Sequence, residues 1–337
     1  MESFRTEEYH TGGEPFRIVP DLGRELPGAT VAERRVSAMR SADVDRARQI
    51  LCFEPRGHAD MYGGFITPPN DAGAHFGVLF WHKDGFSTAC GHGTIALGVW
   101  AVETGRVPAA QTGTTDVVID VPSGRVTARV HTEAGRITSV DFVSVASYLL
   151  ATEVPVPTSR GKLAVDVSYG GAIYAQLDAA TVGLSVAPMD VADLIDLGRE
   201  IKWALNDTAV AQHPSDPRLS GIYGTILFED VESGPGGSLT QRNVTIFADG
   251  QLDRSPCGSG TCARVATLDR TGRLGDGGVL THGSIVGSTF TARVVGRTVV
   301  DGYHAVLPEV SGMAYRTGES TFTVDPRDPL VPGFVLR

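Results

Sequence analysis

A motif that occurs twice, half a chain apart, constrains this protein more than any other feature of its sequence. Residues 87–99 read STACGHGTIALGV and residues 254–266 read RSPCGSGTCARVA. Aligned on Cys90 and Cys257, Thr88 falls on Ser255, Gly91 on Gly258, Gly93 on Gly260, Thr94 on Thr261 and Ala96 on Ala263. Duplication at this distance predicts two similar halves, each presenting one cysteine. A length of 337 residues suits two domains of ordinary size.

The stretches between the motifs predict sheet. Residues 117–131, 137–145, 163–177 and 288–307 alternate Val, Ile, Thr and Tyr with polar residues, and 41 glycines and 19 prolines supply the turns. Helical spacing is clearer at 42–52, 189–204, 93–104 and 260–271, the last two following the repeated cysteines. Both of these helices are apolar on most faces, so sheet is expected to wrap them. The expectation is an α+β fold of two halves, each a curved, mainly antiparallel sheet around a central helix. TEVPVPTSRGK (152–162) is the linker candidate.

The cysteine contexts carry chemistry. Ser255 is a favoured N-cap, and Pro256 suits the first helical position, which places Cys257 in the first turn. In the other copy Thr88 takes the cap position and Cys90 the first turn. A helix N-terminus stabilises a thiolate and offers unpaired N–H groups to a carboxylate. Two such thiols suggest a pair of bases serving opposite faces of one α-carbon, as inversion of a stereocentre requires. Cys262 and Cys52 read as small core residues.

Other functions fit poorly. A net charge of −10 without any Lys/Arg-rich run argues against nucleic acid. No apolar run approaches the ~18 residues of a membrane span. The start MESFRTEEYHTGGEP lacks the basic and apolar parts of a signal peptide, and four cysteines make no disulfide framework; a cytoplasmic protein is expected. Cys90-Gly-His92 and the spacing from Cys257 to Cys262 do not suit a metal. GHGTIA and GSGTCA fit a dinucleotide fingerprint only by letter, since no strand runs straight into the first glycine. Lys83, Lys162 and Lys202, the only lysines, lack a pyridoxal context. No cofactor is expected.

Segments along nearly the whole chain carry a resemblance: HTGGEPFRIV (10–19), FEPRGHADMYGG (53–64), ACGHGTIALG (89–98), VSYGGAIYA (167–175), DRSPCGSGT (253–261) and GSTFTARVVG (287–296). They resemble the proline racemase family, which includes hydroxyproline 2-epimerases and trans-3-hydroxy-L-proline dehydratases. The resemblance implies a fold like that of diaminopimelate epimerase, with two pseudo-symmetric halves and the active site in the cleft between them. The first half is expected over 1–151, with the chain end (about 308–337) returning to it, and the second over 152–307. Cys90 and Cys257 would be the acid/base pair. Gly91, His92, Gly258 and Ser259 would bind the substrate carboxylate through backbone N–H groups, and His92 and Asp253 would meet the ring nitrogen. An anionic Asp253 complements a protonated secondary amine. The implied partner is free proline or hydroxyproline, with room for a homodimer.

Within that family, dehydratases typically carry Thr where this chain has Cys257, so the two cysteines favour a racemase or 2-epimerase. FSTACGHG (86–93) nonetheless looks like the same stretch in dehydratases, and that activity stays open. So does a catalytically silent imino-acid-binding protein. His58, Asp60 and Tyr62 form either a hydrogen-bonded turn or a substrate contact, while His10 and Glu14 read as structural.

Overall fold

Short alternating runs punctuated by glycine make most of this chain strand. The computed structural model describes residues 2–336, and they divide into two compact units. One runs from the N-terminus to Val140 and resumes at Met313; the other spans Asp141–Gly312.

The first unit opens with β1 (Glu2–Thr11) and β2 (Glu14–Val19), a hairpin about Gly12-Gly13. Helices α1 (Val31–Arg40) and α2 (Ala42–Cys52) follow. The first of them escapes a search for apolar periodicity. A capping box starts it instead: the Glu33 N–H donates to Thr30 Oγ1 and the Thr30 N–H to the Glu33 carboxylate. Next come β3 (Tyr62–Thr67), β4 (Phe76–His82), β5 (Gly85–Phe86), α3 (Gly91–Glu103), β6 (Gly113–Val121), β7 (Gly124–Glu133) and β8 (Arg136–Val143). Antiparallel pairs predominate; among the described residues β2 with β3 and β4 with β6 run parallel. The sheet curves about α3, whose Ile95, Leu97, Val99 and Trp100 are wholly buried, each contributing roughly 1.5–3 kcal/mol.

The second unit repeats this connectivity. It comprises β9 (Ser147–Thr158), β10 (Gly161–Tyr169), β11 (Ile173–Asp178), α4 (Val191–Leu205), β12 (Ile222–Ser233), β13 (Leu239–Phe247), β14 (Gln251–Leu252), α5 (Gly258–Arg270), β15 (Leu280–Ser284), β16 (Thr289–Val300) and β17 (Tyr303–Gly312). Again one hairpin, β10–β11, turns on a Gly-Gly pair. Again the parallel pairs are the second strand with the third (β11, β12) and the fourth with the strand after the buried helix (β13, β15). Strand β17 pairs with both β16 and β9, so the sheet closes on itself as a barrel. Helix α5 is buried from Gly258 to Leu268. The chain then returns to the first unit as β18 (Ala314–Val324), antiparallel to β1.

The linker expected at 152–162 is instead strand. Leu163 faces Val156 and Ala164 faces Pro155 in the β9–β10 hairpin, and the second unit already begins at Asp141. Over these residues β9 pairs on one side only, with its prolines exposed and Val156 buried. A strand edge needs no proline N–H, so the residues that read as a linker form an edge.

Candidate active site

In each unit a cysteine stands immediately before the buried helix. Neither lies in the first helical turn, where the sequence places it; the helices begin at Gly91 and Gly258, and Cys90 and Cys257 are the N-cap residues. The reason is the same motif glycine in both. A Cβ at Gly93 would lie 2.8 Å from Cys90 Sγ, and one at Gly260 would lie 2.9 Å from Cys257 Sγ. Each thiol therefore sits close over the third helical residue, and Cys90 Sγ accepts the N–H there as a capping oxygen does.

Cys90 takes this role in ordinary extended backbone (φ −156°, ψ 104°). The Gly93 N–H donates to its Sγ at 3.2 Å, and the Thr94 N–H and hydroxyl both donate to its carbonyl, at 3.0 and 2.8 Å. Both ring nitrogens of His92 approach Sγ, at 3.5 and 3.6 Å. The His92 ring stands edge-on to Phe16 and Tyr62, its carbonyl accepts from Thr11 Oγ1 at 2.9 Å, and the Tyr62 hydroxyl pairs with Ser87. The β1–β2 hairpin and β3 thus fix the residue next to the thiol.

Cys257 reaches its place by a different backbone. Its φ of 62° with ψ 103° lies where residues with a Cβ are rare and strained. Ser255 and Pro256, expected as cap and first helical residue, form the turn before it. The Ser255 N–H and hydroxyl donate to Asp253 Oδ1 at 2.8 and 2.7 Å, and Ser255 Oγ accepts the Cys257 N–H at 3.1 Å. Burial raises the Cys257 pKa well above its ordinary value, and the Asp253 carboxylate beside it adds to the rise; the Thr245 hydroxyl and the Gly260 N–H oppose both. Asp253 is itself pushed up to about 6 by burial, against the hydrogen bonds from Ser255 and Cys257 that favour its charge. Ser259, next to Gly258 in the first turn of α5, pairs through Oγ with the Tyr174 hydroxyl at 2.7 Å.

These are two chemically equipped helix ends. Each offers a buried thiol, backbone N–H groups that the helix leaves without an intrahelical acceptor, and one titratable neighbour: an imidazole at Cys90, a carboxylate at Cys257. Such an end can bind a carboxylate and exchange a proton with a carbon acid.

Comparison with known proteins decides the family. The model of the family described as "Proline racemase" matches residues 8–335. The chain belongs to the proline racemase family. It is 45% identical over 336 residues to the trans-3-hydroxy-L-proline dehydratase of Burkholderia cenocepacia and, over the same length, 45% identical to the 3-hydroxyproline 2-epimerase of Burkholderia multivorans; each comparison covers 99% of this chain and 98% of the relative. Among solved structures it is similar to a hydroxyproline epimerase from Agrobacterium vitis with bound trans-4-hydroxy-L-proline, with a TM-score of 0.90 and 28% identity over 99% of this chain and 96% of that one. Both names, epimerase and dehydratase, therefore occur among its relatives.

Within this family member the sequence-derived residues fall into two sets, Cys90, Gly91 and His92 at α3, and Asp253, Cys257, Gly258 and Ser259 at α5. Cys52 and Cys262 are buried core thiols pushed up to about 12 by burial. His10 caps its own turn, its Nδ1 accepting the Gly13 N–H, and no group of acidic, His and Cys side chains suited to a metal occurs among the described residues. Sequence reasoning missed Phe16, Tyr174, Asn243 and Thr245. A second repeat would have found the first two: counting from each Gly-Gly turn, Phe16 and Tyr174 hold the same position, and each packs against its helix end. The other two were visible as polar residues alternating along β13, Gln241-x-Asn243-x-Thr245, on the face that period-2 geometry turns toward one side.

Proposed function

We propose that this chain is a hydroxyproline 2-epimerase that inverts the α-carbon of a free imino acid by two-thiol acid/base catalysis, with no cofactor. The observation that carries this reading is the matched capping position of Cys90 and Cys257 on equivalent helices, each over the motif glycine. One thiolate removes the α-proton, and the opposite thiol returns a proton to the other face. Charge developing on the substrate carboxylate is met by backbone N–H groups of Gly91, His92, Gly258 and Ser259, which act without reorganising. Asp253 takes the ring ammonium.

The 45% identity to a 3-hydroxyproline 2-epimerase makes trans-3-hydroxy-L-proline the first substrate to try. Elimination is the second reading, favoured by equal identity to a trans-3-hydroxy-L-proline dehydratase: after the same proton abstraction, loss of the 3-hydroxyl gives a pyrroline carboxylate. Proton NMR in D2O with L-proline, trans-4-hydroxy-L-proline and trans-3-hydroxy-L-proline in separate tubes separates them. The expected result is loss of the α-proton signal with growth of the 2-epimer. A pyrroline product from the 3-hydroxy substrate moves the protein to elimination, and no change in any tube removes the reading.

A further inference from the structure

The peptide between Pro256 and Cys257 is gripped from both sides. Its N–H donates to Ser255 Oγ at 3.1 Å, and Ser255 is in turn oriented by Asp253 Oδ1. Its carbonyl accepts from Asn243 Nδ2 and from Thr261 Oγ1, both at 3.1 Å. Thr261 has one hydroxyl proton, so His282 Nδ1, 2.7 Å away, is the donor in that contact. On the far side of Cys257 the Thr261 N–H holds its carbonyl at 2.7 Å. The φ and ψ of Cys257 are the two rotations between these pinned peptide planes, and the strained pair of 62° and 103° is what those planes impose. Ser255, Asn243, Thr261 and His282 are all fully or almost fully buried, so water offers no substitute partners.

We propose that Ser255 is a positioning residue whose hydroxyl, working against Asn243 and Thr261, holds Cys257 in the left-handed conformation that sets its thiol beside Asp253. This rests on reading Cys257 as one of the two acid/base thiols. Without the clamp, the residue relaxes toward ordinary φ and the thiol leaves the buried seat beside Asp253, where burial first and the carboxylate second suppress its ionisation.

The test uses the full chain with Ser255→Ala, Ser255→Thr and Cys257→Ala, and two readouts. The first is the rate of iodoacetamide alkylation at each cysteine by mass spectrometry; Cys90 in the same molecule is the internal control. In Ser255→Ala the Cys257 rate is expected to rise about tenfold as thiolate becomes available, with Cys90 unchanged. The second is formation of the 2-epimer of trans-3-hydroxy-L-proline in D2O, the step that needs both thiols. There kcat is expected to fall about 100-fold at nearly constant KM, the scale of an ångström-level misplacement. Ser255→Thr restores both. Wild-type alkylation of Cys257 in Ser255→Ala overturns the proposal. Wild-type turnover in Cys257→Ala overturns the two-thiol reading instead and leaves the alkylation result to judge the clamp. Should Ser255→Ala unfold, exposing both cysteines, Asn243→Ala is read by the same alkylation assay, and an unchanged Cys257 there overturns the clamp.

Discussion

Helices α3 and α5 occupy equivalent places in the two units and are seated by opposite means. Around α3 the contacts are mostly apolar and close: a Cβ at Gly98 would lie 2.6 Å from Ala128 Cβ on β7, and Trp100 stands edge-on to Phe76 of β4 at 5.6 Å. Around α5 they are polar and directional. Arg264 stacks over Phe228 and donates to Gln241 Oε1 and Gln176 Oε1 at 2.9 and 3.0 Å, and Asn243 and Thr245 continue the row along β13 to the helix start. Apolar packing constrains a helix by volume and leaves its end to its own cap, which suits Cys90 in extended backbone. Directional bonds constrain individual dihedrals, and the end where they converge from both sides on one peptide has its cysteine at positive φ. The duplicated motif therefore conceals two thiols of different character, one beside an imidazole and one beside a carboxylate.

The largest expected effect tests whether the two ends depend on each other. Cys90→Ala and Cys257→Ala should each lower inversion by about 10³-fold, within the range ascribed to a positioned acid or base. If the thiols work on one α-carbon, each variant should keep slow exchange from the single face its remaining cysteine serves, read as deuterium incorporation without epimer. Full inversion in either variant would break the pairing. Smaller effects test the two seats. Arg264→Ala leaves two buried glutamine oxygens without donors at about 1–3 kcal/mol each and opens a void, so a loss of about 4 kcal/mol is expected in denaturant unfolding. Gly98→Ala forces α3 off β7 and should cost about 2 kcal/mol. Equal, negligible losses would show that the seats do not differ in the way described.

How much of this was legible in the sequence follows from the same contrast. Patterns that repeat along the chain could be read: the cysteine pair, both buried helices and the sheet stretches. Features set by partners distant in sequence could not. Nothing in RSPCGSG announces that Cys257 takes a positive φ, because the peptide before it is also held by Asn243, which lies on β13 and outside that stretch. The prolines of 152–162 look like a linker until β10 is seen to pair with them. Helix α1 was within reach, since the Thr30-x-x-Glu33 box stands in the sequence, but its apolar spacing is too weak to draw attention. The neighbours of Cys90 lie largely in recognisable motifs, whereas those of Cys257 include residues of β13, a stretch that no motif marks.

The last prediction sharpens the difference in charge between the two ends. Asp253 has its pKa pushed up from 3.8 to about 6 in the fold, chiefly by burial. A carboxyl whose pKa is raised on folding binds its proton more tightly when native. Ionised Asp253 therefore costs stability at neutral pH, and the cost disappears as pH falls from about 6 toward 4. Asp253→Asn removes the charge but keeps an oxygen to accept from Ser255. The variant should be more stable than wild type by about 2 kcal/mol at pH 7 and no more stable near pH 4, measured by denaturant unfolding at both values. Its activity should be lost, and the wild-type kcat/KM should fall as pH drops through about 6, because the proposed ammonium partner is the ionised form. A stability gain that persists unchanged at pH 4 would place the burden on packing and not on charge. The carboxylate beside Cys257 would then no longer distinguish that thiol from the one beside His92.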